Sequence, residues 1–178
     1  LDAFDYARAL ERTESFFWSF TDDHLELVKA RAYGEQGPDA SVSARRALRT
    51  ALGVLQQLFA PFMPFVAEEV WRWWHPSSVH ASAWPQSGPL RAAAGDAGAL
   101  PGAVAAAVLG EVRRAKSEAK RPLRTEVDRA TVTDTAERIA VLEAVADDVC
   151  AAGRVSELVT AEGRELAVAC ELAPEAAA

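Results

Sequence analysis

Residues 86 to 102 divide the chain into two unlike parts, and that division constrains the fold more than any other feature. The stretch reads Gln86-Ser87-Gly88-Pro89, then sets Gly95, Gly98, Pro101 and Gly102 among alanines. Glycine and proline at this density interrupt regular elements, so a linker is expected over 87–102. Before it, apolar residues recur at helical spacing; after it come runs rich in valine and threonine. The expected fold is mainly α. It consists of an antiparallel helical bundle over 1–86, a small α+β unit over 103–173 (helix-strand-helix-strand-strand) and a tail over 174–178.

Phe4, Ala7, Leu10, Phe17 and Phe20 predict a helix that Leu25 and Val28 extend to about residue 33. Thr21-Asp22 could cap a second helix there, so a break is plausible. Gly34 to Pro38 reads as a loop. Ser43 then offers an N-cap to a helix with Ala44, Leu48, Leu52, Leu55 and Phe59 on one side, which Pro61 ends. Pro64 suits the first turn of a further helix, Phe65 to about His75, closed by Pro76.

In the second part, Val104, Val108, Val112, Ala115 and Ala119 predict a helix ending at Arg121-Pro122. Val127 to Thr133 reads as a strand. Asp134 and Glu137 resemble a capping box for a helix carrying Ile139, Leu142, Val145 and Val149, with Gly153 as its stop. Val155 to Thr160 and Arg164 to Leu172 are strands joined at Glu162-Gly163. The second alternates, with Leu166, Val168, Cys170 and Leu172 on one face.

Searching for chemistry excludes more than it finds. His24, His75 and His80 form no metal-binding spacing. No Gly-rich phosphate loop and no GxSxG elbow occurs, and Cys150 and Cys170 fit neither a disulfide framework nor a zinc site. Reduced thiols point to the cytoplasm. The carboxylate pairs Asp22-Asp23, Glu68-Glu69 and Asp147-Asp148 read as solvated helix edges, since neighbours on a helix point about 100° apart. No apolar run is long enough for a membrane span, so no membrane partner is expected. No catalytic residue, metal ligand or bound cofactor is expected in this chain. It begins at Leu1 and holds one Met, Met63, so it reads as a piece of something longer.

Two features stand out. Four of the five tryptophans, Trp71, Trp73, Trp74 and Trp84, crowd into one short segment. Trp71 and Trp74 share a helix face and read as core, whereas Trp73 points elsewhere and is the candidate for base stacking or protein contact. The second feature is basic: Arg113, Arg114, Lys116, Lys120, Arg121 and Arg124 stand against Glu118 alone in that stretch. Its plain reading is a solvated helix face; the sharper one is a strip that displaces counterions from a nucleic-acid backbone. The overall net charge of −7 argues against nucleic acid only as an average. Residues 1–129 hold equal numbers of acidic and basic side chains, and the acidic excess lies in 130–178.

At these strings a family resemblance emerges. Pro61-Phe62-Met63-Pro64-Phe65-Val66-Ala67-Glu68-Glu69-Val70-Trp71 resembles the Pro-Phe-Met-Pro-Phe helix of the anticodon-binding domain in class I aminoacyl-tRNA synthetases for Val, Ile, Leu and Met. Ser78-Val79-His80-Ala81-Ser82-Ala83-Trp84-Pro85 is similar to the Ser-Ile-His-x-x-x-Trp-Pro segment that follows it there. Phe16 to Glu26 resembles the family's Phe-x-Asp-Trp-Tyr-Ile-Glu helix, with Asp23 and His24 standing where Trp and Tyr are usual. Glu111 to Thr125 looks most like the valyl branch.

The resemblance implies a tRNA-binding piece of a ligase whose ATP- and Mg-dependent catalytic domain lies elsewhere in the same polypeptide, working as a monomer. Valyl members often end in a coiled coil; the tail from Ala173 has no heptads, so that arm is absent or removed. Arg72, Trp73, Trp74 and His75 become candidates for anticodon contact, with Trp73 first, and the strip from Arg113 to Arg124 for phosphate contact. The rival readings are a leucyl-, isoleucyl- or methionyl-type domain, or a helical protein-interaction module docking through its tryptophans without RNA.

Overall fold

The computed structural model describes residues 4–95 and 98–174. Helix α1, Tyr6–Ser19, opens at Asp5, whose Oδ1 accepts from the Arg8 amide at 3.1 Å. Thr21 and Asp22 do not cap a new helix. The chain passes through a π-helical turn, Phe20–His24, directly into α2, Leu25–Tyr33. The Thr21 hydroxyl instead turns back along the helix and donates to Phe17 O at 3.0 Å. Gly34, at φ 97°, ends α2 in the left-handed region that glycine enters without steric penalty.

Helix α3, Pro38–Phe59, starts before the expected cap at Ser43, which lies inside it. Pro38 occupies its first turn, where a missing N–H costs nothing. Buried Ser41 donates to Ala32 O at 3.1 Å and ties α3 to α2. Helix α4, Pro64–Arg72, stops short of His75, and a 3₁₀ turn follows at Val79–Ala81. The stretch expected as a linker holds a helix of its own, α5 (Ser87–Ala94), and the start of α6, Leu100–Glu118. Residues 96 and 97 of it, like residues 1–3 and 175–178 including most of the expected tail, lie outside the described residues.

On α6 the buried side is Val104, Ala105, Val108, Leu109, Val112 and Lys116. The expected stripe drifts onto Ala115 and Ala119, but the four-residue step through Val104, Val108 and Val112 continues instead to Lys116, and Ala119 is exposed. Three strands follow: β1, Val127–Asp134; β2, Val155–Glu162; and β3, Ala167–Leu172. Their order is β2-β1-β3, with β1 parallel to β2 and antiparallel to β3. Although joined by a short loop, β2 and β3 do not pair. The loop crosses the end of β1 at Gly163, where a Cβ would come within 2.3 Å of Thr133 Cγ2.

A parallel pair needs a crossover. Here it is two helices, α7 (Ala136–Glu143) and α8 (Ala146–Gly153), where one was expected. The expected capping box does not form either. The Asp134 carboxylate closes β1, accepting from the Thr135 amide at 2.8 Å and from Arg138 Nε at 2.6 Å. Burial alone would raise its pKa; the Arg138 and Thr135 hydrogen bonds outweigh that and hold it below the usual carboxylate range. At the end of α8, Gly153 is not the left-handed residue; Arg154 is, at φ 52°. A Cβ on Gly153 would stand 3.1 Å from Val155 Cγ2, which gives that glycine a packing reason instead.

The two parts of the chain share a core. Leu27 of α2 packs with Val108 and Leu109 of α6, Val132 of β1, Leu142 of α7 and Val149 of α8. Above it, Arg31 of α2 pairs with the Asp148 carboxylate of α8, and Gln36 Nε2 donates to the same carboxylate at 3.1 Å. Within the described residues no helix is long and apolar enough to cross a membrane.

Candidate nucleic-acid interface

The end of α4 concentrates the aromatic candidates. Trp71 is buried against Ala60, Ala67 and Val79, and its ring stacks on His75 with centroids 3.9 Å apart. Trp74 lies partly buried beside both. Trp73 stands outside this cluster, 72% exposed. Its orientation is nonetheless held, because Nε1 donates to Glu69 Oε1 at 3.2 Å one turn back. A flat, exposed ring already restrained loses little freedom when a base stacks on it. Arg72 is exposed too, but its Nε donates to Glu68 Oε1 at 2.6 Å.

Glu68 does more than line an edge, as its pairing with Glu69 suggested. Its Oε2 accepts from Ser78 Oγ at 2.8 Å and from the Val79 amide at 2.9 Å. The Arg72 and Ser78 hydrogen bonds hold its carboxyl below the usual range. His80 Nε2 meets Pro64 O at 3.2 Å, and Gln57 Nε2 donates to Ala83 O at 2.8 Å. Residues 78 to 83 are thereby pinned along α3 and α4, leaving a corner at the end of α4 on which Arg72 and Trp73 are exposed while Trp74 and His75 are partly buried.

The basic strip does not form one phosphate-facing surface. Lys116, expected at that surface, is 2% exposed; its ammonium donates inward to Gly153 O at 2.7 Å and Leu123 O at 3.0 Å. Burial pushes its pKa down. Arg113 is also turned inward, donating to Asp23 Oδ1 at 3.1 Å and Asp22 O at 2.7 Å across to the π turn. Arg114 is exposed but lies between Glu111, at 2.7 Å, and Glu118. Arg121 donates to Ala173 O at 3.2 Å. Lys120 and Arg124 are exposed and make no side-chain hydrogen bond or ion pair with the described residues.

One cation that sequence reasoning missed lies at the aromatic corner. Arg49 of α3 places Cζ 5.1 Å from the Trp74 ring centroid. It is too far along the chain from Trp74 for any local pattern to connect them. A second missed feature is an apolar groove of about 400 Å³ between α1, α3 and α4, lined among others by Trp18, Leu52, Phe59, Met63 and Val66. Trp18 on its rim is 59% exposed. Among the described residues no cluster of three or more His, Cys, Asp or Glu is placed to hold a metal ion.

Comparison with known proteins adds an independent line. Residues 1–132 match the family model described as the anticodon-binding domain of tRNA ligase. The chain is 50% identical over 169 residues to the valine--tRNA ligase of Leifsonia xyli, covering 95% of this chain and 19% of that protein. It is 53% identical over 175 residues to that of Thermobifida fusca, again covering 19% of it. The match to the Salinispora tropica enzyme is 47% over 172 residues. The chain thus spans about a fifth of the length of these relatives. With α4, the corner at its end and the following Ser-Val-His segment all inside the matched region, the chain belongs to the anticodon-binding domain family of tRNA ligases.

Proposed function

We propose that this chain binds the anticodon arm of valine tRNA and holds it for ATP-dependent attachment of valine. The attachment is performed by a catalytic domain of the same longer polypeptide. ATP and Mg²⁺ would be bound there. The protein works in the cytoplasm as a monomer. The observation carrying the reading is the exposed, edge-anchored Trp73 on a corner inside the family-matched region.

Anticodon loop bases splay out of the stack and can lie on Trp73, each stack contributing about 1–3 kcal/mol. Glu69 holds the edge of that ring through Nε1, beside the packed cluster of Trp71, Trp74 and His75. Of the basic strip, Lys120 and Arg124 supply sequence-independent phosphate contacts, with Arg114 partly neutralised by its two glutamates. Valine codons share their first two letters, so two anticodon letters suffice to identify the tRNA.

The test is titration of the protein with valine tRNA transcripts in which those two letters are altered. Affinity should fall for each altered transcript, and Trp73→Ala should weaken binding to the unaltered one. Equal affinity for all transcripts sinks the valine-specific reading. The apolar groove beside Trp18 favours a second reading, a docking face for another protein segment. On that reading tRNA binds weakly and without a steep salt dependence.

A further inference from the structure

Positive charge at the aromatic corner was expected from Arg72, which follows Trp71 directly in the chain. In the folded protein that charge is partly offset by Glu68. Arg72 is bonded to Glu68 at 2.6 Å, and Glu68 is itself fastened to Ser78 and the Val79 amide, so the pair belongs to the scaffold of the corner. A guanidinium with a carboxylate beside it attracts a phosphate less than an unpaired one, although Arg72 keeps its Nη groups free.

The cation that faces the rings comes from a different helix. Arg49 is exposed, sits 5.1 Å over Trp74, and makes no hydrogen bond or ion pair with any described residue. One turn further along α3, Gly53 lets the Trp74 ring lie close; a Cβ there would stand 3.4 Å from the ring carbon Cη2. Trp74 thus packs against α3 at Gly53, and Arg49 lies over it one turn away on the same helix. Arg49 keeps its donor N–H groups unspent while Cζ lies 5.1 Å from the indole centroid, an arrangement seen more often for a guanidinium than for an ammonium.

We propose that Arg49 is a nucleic-acid-positioning residue of this corner: held over Trp74, it binds a backbone phosphate of the single-stranded loop whose base stacks on Trp73. The proposal rests on the tRNA reading above and adds to Lys120 and Arg124 a cation at the aromatic corner. It divides the work between two helices, with α4 supplying the stacking surface and α3 the cation. The α3–α4 contact at Trp74 and Gly53 then sets the spacing between base and phosphate.

The experiment measures binding of a valine tRNA transcript by the 178-residue chain over a range of salt, for wild type, Arg49→Ala, Arg49→Lys, Arg72→Ala and Arg164→Ala. Arg164 is an exposed arginine of the α+β unit and serves as the charge control. Arg49→Ala should weaken binding about fivefold or more and lower the log–log salt slope by about one. Arg49→Lys should keep the slope while still losing affinity, because the ammonium cannot rest on the indole in the same way. Arg72→Ala should cost less than Arg49→Ala, and Arg164→Ala should stay within about twofold of wild type. Wild-type affinity and slope in Arg49→Ala overturn the proposal while leaving the tRNA reading intact, as does an Arg72→Ala loss larger than that of Arg49→Ala. Absence of tRNA binding by the wild type overturns both.

Discussion

Lys116 shows how one residue changes meaning between sequence and fold. In the chain it stands among five other cations and reads as part of a phosphate strip. In the fold it is buried on the same side of α6 as Val108 and Val112 and donates to two carbonyls, that of Gly153 at the end of α8 and that of Leu123 in the loop before β1. Its work is to satisfy backbone acceptors that a purely apolar side chain would leave bare. Lys116→Met should therefore lower stability by about 1–3 kcal/mol in urea unfolding, with the salt slope of tRNA binding unchanged. An unaltered unfolding midpoint would show that those carbonyls do not depend on the ammonium. Trp73 went the other way: the 3.6-residue period already set it apart from Trp71 and Trp74, and it stands exposed. That contrast has a physical basis. A helix face is local geometry, whereas burial of a cation depends on which loops arrive opposite it.

At the scale of elements, helix ends were the least legible part. Proline positions were informative, and Pro61 and Pro64 bound α3 and α4 as their fixed φ and missing N–H require. Polar side chains that could cap were not. Ser43 and the Asp134–Glu137 pair both lie near helix starts without capping them, because a tertiary partner or an earlier proline claimed the boundary. The C-terminus of α6 is built from a non-glycine residue in the left-handed region. Lys120, at φ 56°, donates its amide to Ser117 O at 2.9 Å, while the Arg121 amide reaches Lys116 O at 2.8 Å. This is the paired capping pattern that glycine usually serves. Lys120→Gly should stabilise the protein by about 0.5–1 kcal/mol, since the left-handed strain outweighs glycine's extra unfolded-state entropy. Thermal melting reads this directly, and a lower melting temperature would mean that the Lys120 side chain contributes more than its backbone costs. The same variant should reduce tRNA affinity, as Lys120 is one of the two unpaired cations in that loop.

For the molecule as a whole, the division at residues 86 to 102 separates two kinds of secondary structure, but it does not separate two cores. Leu27 enters the core formed by α6, α7, α8 and β1, and the Arg31–Asp148 pair with Gln36 closes the seam above it. Arg113 makes a second bridge from α6 to Asp22 and Asp23 in the π turn. Of these two, Asp22 matches the resembled helix pattern, and Asp23, with His24, departs from it. The two parts should consequently unfold together. Asp148→Ala leaves Arg31 partly buried without its counter-charge and should cost about 1–3 kcal/mol. Hydrogen exchange should speed up in α2 and α8 alike; faster exchange in α8 alone would mean that the parts are energetically independent.

What the sequence determined by itself was whatever local stereochemistry controls. It determined the helical period of the first part, the prolines that bound α3 and α4, the alternation of Val168, Cys170 and Leu172 in β3, and the motif strings that carry the family resemblance. The tertiary structure decided everything that depends on residues far apart in the chain meeting: β1 entering between β2 and β3, Lys116 and Arg113 turning inward, and Arg49 arriving over Trp74. A charged side chain has the same local preferences whether it faces water, a carbonyl or an indole. Only the packing of distant elements settles which of these it meets, and with that which cations of this chain remain free to hold a nucleic acid.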